Sequence, residues 1–121
     1  MEINITKKAR DDLYNYYQYY KLKSNVHVSN YINEMLDYTQ KISIYPNIGK
    51  IIEKINEYQI RQLIYKKHKI LYINSNNKIY ILRYIYTTRK FNIRKDFLST
   101  DFINSWVIHS WNLIGNYKLL Y

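Results

Sequence analysis

Cysteine is absent from the 121 residues, proline occurs once and glycine twice. Without cysteine there is no disulfide framework and no thiolate metal site, which agrees with a reducing cytoplasm. The three histidines, His27, His68 and His109, lie far apart without ligand spacing, so neither a metal site nor a cofactor is expected. No segment approaches the ~20 apolar residues that span a bilayer. The opening Met1-Glu-Ile-Asn-Ile-Thr has no apolar run of signal-peptide length, so we expect a soluble, unexported, cytoplasmic protein. Acidic residues are also scarce: 9 Asp and Glu face 19 Lys and Arg, a formal charge of +10. Such a field attracts nucleic acid, an anionic membrane surface or an acidic protein, and does not choose among them.

What is present suits one small domain with an ordinary core, since 47% of the residues are hydrophobic. The 16 tyrosines accompany an equal crowding of Ile, Asn and Lys, the set encoded by A/T-rich codons. As a class they read as core and surface filler, and only those beside basic strand residues hold functional interest. Nothing repeats, and no linker divides the chain.

Glu2-Ile-Asn-Ile alternates polar and apolar residues, the pattern of a short half-buried strand. Thr6 caps a helix whose apolar members Ala9, Leu13, Tyr16 and Tyr20 recur at three- and four-residue steps. After the polar break Ser24-Asn25, positions Val28, Ile32, Met35, Thr39 and Ile42 repeat the stripe, so two helices in sequence predict an antiparallel hairpin. Pro46 ends the second by removing an N–H and disfavouring helical geometry at Tyr45. Gly49 permits the following turn, and Lys50-Ile-Ile-Glu-Lys-Ile leads into the strands.

Tyr58 to Asn74 and Lys78 to Arg89 read as three consecutive strands, with turns at Lys66-Lys67 and Ser75-Asn-Asn. Basic residues lie inside these strands. Lys and Arg are poor strand formers and expensive to bury, so Arg61 and Arg83 either face water on an open sheet or serve a polyanion. His68, within Lys-Lys-His-Lys, reads as a hairpin residue. Glu53 and Glu57 stand one helical turn apart; a general base and a solvated face are the two readings. The predicted class is α+β: an N-terminal strand, a two-helix hairpin and a three-stranded antiparallel sheet, with the helices on one face and the other partly open.

The order and spacing of Tyr45-Pro-Asn-Ile-Gly49, Ile60-Arg-Gln-Leu, His68-Lys-Ile-Leu-Tyr-Ile and Ile79-Tyr-Ile-Leu ending in Thr87-Thr-Arg resemble the RelE/ParE superfamily, toxins of bacterial type II toxin-antitoxin systems. The resemblance covers roughly Ile3 to Phe91, so residues 1–91 are expected to form the toxin domain. It implies growth inhibition and a cognate antitoxin, which should lay an acidic or amphipathic segment across the basic surface. RelE-like members cut mRNA on the ribosome, using basic residues to stabilise phosphate charge and a Tyr or His for the acid/base step. Arg61, Lys69 and Arg89 match that basic cluster. Gln59 stands where a further lysine belongs, and the tyrosine expected soon after Arg89 is missing, with Lys95 near its place; Tyr86 or His68 would have to substitute. ParE-like members poison DNA gyrase and need no nuclease constellation; the Leu63 to Tyr72 hairpin and the Thr-Thr-Arg ending look more like this branch. The protein is thus a ribonuclease in one reading and no enzyme in the other. For target or nucleic-acid binding the candidates are Arg61, Lys66, Lys67, Lys69, Arg83, Arg89 and Lys90. A non-toxic RNA- or DNA-binding module and a degenerate toxin are the alternatives.

Residues 92–121 exceed the resemblance. Thr100 predicts a capped helix with Phe102, Ile103, Trp106, Val107 and Trp111 on one side and Gly115 as its stop. Such a stripe packs on its own domain, or else serves a homodimer.

Overall fold

A computed structural model describes residues 1–55, 58–87 and 110–112. The element order is β1 (Glu2–Thr6), α1 (Lys7–Thr39), α2 (Lys41–Ile44), β2 (Lys50–Ile55), β3 (Tyr58–Tyr65), β4 (His68–Ser75), β5 (Lys78–Tyr86) and β6 (Ser110–Asn112). One sheet in the order β2-β3-β4-β5-β1-β6 carries the helices on one face. The α+β class is as expected.

Thr6 caps α1 as its sequence position predicts, its hydroxyl oxygen accepting the Ala9 N–H at 3.2 Å. The two helical stripes also face the sheet: Ala9, Leu13, Val28, Ile32, Met35, Thr39 and Ile42 are all buried. Each large apolar side chain among them stabilises the fold by about 1.5–3 kcal/mol. The predicted connection between two helices is replaced by a hinge inside one helical element, where Ser24 alone leaves helical geometry (φ −163°, ψ 103°). Its side chain accepts the His27 N–H at 3.4 Å, so it releases one arm and caps the next. A straight helix would separate Tyr16 and Tyr31 by about 22 Å, yet their ring centroids are 5.6 Å apart. The second arm therefore folds back along the first.

The sheet is larger than the three strands predicted. β1 lies parallel to β5, with Ile3 opposite Ile79. Lys50–Ile55, read as a lead-in, is a full strand whose pairing with β3 shifts between Ile51 and Glu53. The adjacent Ile51-Ile52 breaks the two-residue alternation that marks a strand, and the bulge absorbs the break. Glu53 accordingly sits in a strand; Glu57 lies outside the described residues. In the tail, Ser110–Asn112 pairs antiparallel with β1, which corrects the helix expected through Trp111. The remainder of that predicted helix lies outside the described residues.

The face away from the helices is not open either. Ile55, Ile60, Leu71, Ile73, Leu82 and Ile85 form a second buried cluster, joined by Tyr58 and Tyr80. No helix among the described residues is long and apolar enough to cross a membrane.

Candidate functional site

Each strand arginine has an internal use. Arg61 on β3 donates through one guanidinium nitrogen to the Gly49 carbonyl at 2.8 Å and the Asn47 carbonyl at 3.2 Å. Beside it, the buried Tyr72 hydroxyl accepts the Gly49 N–H at 2.8 Å and donates to the Pro46 carbonyl at 2.9 Å. Burial raises the Tyr72 pKa, so this phenol stays protonated and keeps both roles. A Cβ at Gly49 would lie 2.7 Å from the Tyr72 ring and 2.9 Å from the Gln62 carbonyl. Only glycine admits so close an approach.

Arg83 corrects the expectation of a target-binding or solvated residue. Register changes from Leu71↔Arg83 to Tyr72↔Ile81, so β5 carries an extra residue at this point. The bulge re-aims Arg83 to Asp12 on α1, with bonds of 2.6 and 2.9 Å. The same carboxylate accepts the Tyr84 N–H at 3.1 Å. Arg83 is 5% exposed, and breaking such a buried pair by removing one partner costs about 3–5 kcal/mol.

Nor does the structure gather the RelE-type candidates. Arg61 is paired with Tyr72 across β3 and β4, on the helix side. Lys69 is opposite Ile64 and Ile85, and Ile85 belongs to the cluster on the other face. Tyr86 is on the helix side, its ring 5.5 Å from His68 and 6.0 Å from Tyr16. It stands in the Tyr65–His68–Tyr86 row, four residues along the ladder from Arg61, or about 13 Å. Arg89 and Lys90 lie outside the described residues.

Lys66 and Lys67 do occupy an exposed turn, where the Lys66 ammonium meets Glu34 at 3.6 Å and lies 5.4 Å from the Tyr65 ring centre. His68, expected as a plain hairpin residue, is 2% exposed. Its Nδ1 is hydrogen-bonded to the Tyr31 hydroxyl at 2.8 Å, and the same hydroxyl oxygen accepts the Lys67 N–H at 3.3 Å. Burial lowers the His68 pKa to about 4, so at neutral pH the ring is uncharged and can accept at Nδ1. Burial likewise raises the Tyr31 pKa to about 12. Tyr31 and Asp12 are the positioning residues that sequence reasoning missed. Both act on partners far away in the chain, where spacing carries no signal.

A family model for the ParE toxin of the type II toxin-antitoxin system, parDE, matches residues 3–91. The chain belongs to this ParE toxin family. The RelE/ParE resemblance read from the strands is thereby borne out, and the ParE match runs from β1 through β5. Membership in a toxin-antitoxin family implies an antitoxin partner. A comparison with curated proteins finds no match.

Proposed function

We propose that this protein is the growth-inhibiting toxin of a toxin-antitoxin pair, acting as the ParE-like branch does, on DNA gyrase, and held inactive by a cognate antitoxin. The observation that carries the choice of branch is the separation of Arg61 and Lys69 onto opposite sheet faces. Cleavage of an mRNA phosphate needs its cations converged on one developing charge. Arg61 is moreover bonded to the carbonyls of the 46–49 turn, and Tyr86 stands a dozen ångströms along the sheet.

Neutralisation follows from charge. A net +10 favours an acidic or amphipathic segment from the antitoxin.

Induced expression of the full chain should arrest bacterial growth, and co-expression of the adjacent reading frame should restore it. The purified protein should increase gyrase-dependent DNA breaks and leave mRNA uncut in a translation reaction. Ribosome-dependent mRNA cleavage would transfer the protein to the RelE-like mechanism. Normal growth at verified soluble expression would leave a non-toxic nucleic-acid-binding module or a degenerate toxin.

A further inference from the structure

The hinge in α1 and the β3–β4 turn enclose a groove of about 450 Å³, within the ~300–1,000 Å³ of small-ligand sites. Tyr16, Tyr20 and Tyr31 contribute to its wall, and Lys23, Lys66 and Lys67 to its rim. The aromatic part is continuous: Tyr16 is 4.6 Å from Tyr20 and 5.6 Å from Tyr31, centroid to centroid. The Lys23 ammonium lies 5.7 Å from the Tyr20 ring centre. No lining residue is acidic. Lys23 comes from the hinge and the other two lysines from the turn, so cations from two separate elements converge on one aromatic groove. Convergence of like charge is unfavourable in the empty protein, and an anion placed between them relieves it.

We propose that this groove binds a nucleotide unit, with the base against the tyrosines and the phosphate between Lys23 and Lys67. An acidic peptide would match the lysines and leave the aromatic wall without a counterpart. A nucleotide has both parts: every base offers a π-face to stack on Tyr, and each phosphate offers oxygens to an ammonium. The unit can come from a single strand or from a free nucleotide. The inference extends beyond gyrase inhibition and stands without it.

The test is fluorescence anisotropy of labelled dT10 with the full chain across a salt series. Loss of the one phosphate held between them in a Lys23→Gln/Lys67→Gln double variant should lower the slope of log affinity against log salt by about 0.7. A Lys50→Gln/Lys54→Gln control removes equal charge from exposed positions on β2 and should leave the slope unchanged. Tyr20→Leu should weaken binding about tenfold, the scale of one lost base stack. Displacement of dT10 by millimolar dTMP assigns the groove to free nucleotides; resistance to dTMP assigns it to strands. Equal effects of the two lysine pairs, or displacement by a deca-glutamate peptide as effective as by unlabelled dT10, overturn the proposal.

Discussion

Two turns at opposite ends of the β3–β4 ladder are built on the same device and end in different states. At residues 46–49 the Tyr72 hydroxyl accepts a backbone N–H and donates to a carbonyl. At residues 66–67 the Tyr31 hydroxyl accepts a backbone N–H and shares a hydrogen bond with His68 Nδ1. The nearby cations diverge. Arg61 turns inward onto backbone carbonyls, whereas Lys66 and Lys67 stay exposed. Positive charge in a strand or turn is thus no guide to function until its acceptors are known. A guanidinium with carbonyls in reach is a structural clamp, and an ammonium without them remains available to a ligand.

The largest effect should come from pH at the 66–67 end. Above pH 6.5 the imidazole is neutral in both folded and unfolded chains, and stability there is at its full value. Below it the unfolded chain takes up a proton that folded His68 refuses until about pH 4. Stability should therefore fall as pH drops through that window, by roughly 3 kcal/mol in all. Urea unfolding at pH 7, 5.5 and 4.5 measures this, and His68→Phe should flatten the dependence. A wild-type slope unchanged by that substitution would assign the effect to carboxylates elsewhere.

Gly49→Ala probes the other end. The added methyl collides with the Tyr72 ring and the Gln62 carbonyl, and overpacking of this kind costs about 1–3 kcal/mol. Thermal unfolding should record the loss at any pH between 5 and 8, in contrast to the His68 effect. An alanine variant as stable as the parent would mean that the turn is loose enough to yield.

The smallest effect compares the two hydroxyls directly. Tyr72→Phe strands the Gly49 N–H, a buried residue, and should cost about 1–3 kcal/mol. Tyr31→Phe releases a Lys67 N–H on an exposed residue, where water replaces the lost acceptor, although Nδ1 of buried His68 also loses its hydrogen-bond partner. The second loss should be the lesser, near 1 kcal/mol. Equal losses would erase the distinction between a closed and an open turn.

Where periodicity carried the information, the sequence was legible. The Val28, Ile32, Met35, Thr39 and Ile42 stripe, the Thr6 cap and the Asn-Asn turn all follow from local rules, and Asn76 and Asn77 indeed adopt φ of 53° and 62°. Partners distant in the chain were not legible. Asp12 and Arg83 are 71 residues apart, and the acceptors of Arg61 are backbone carbonyls, which no residue type announces. The candidate site suffered most: the resemblance grouped Arg61 with Lys69, whereas Lys69 stands three residues along β4 from Tyr72, the partner of Arg61, and an odd offset along a strand puts side chains on opposite faces.

The parallel pairing of β1 with β5 also governs the order in which the molecule is completed. The Thr6 hydroxyl donates to the carbonyl of Leu82, 76 residues later, so β1 has no ladder partner until β5 has been synthesised. Until then Ile3 and Ile5, both buried in the finished sheet, lack the strand beside which they pack. Synthesis arrested before Lys78 leaves β1 without its neighbour and the helical arms on an unfinished sheet, a state exposed to chaperones and proteases. Only a chain translated through β5 can assemble the helix-covered sheet.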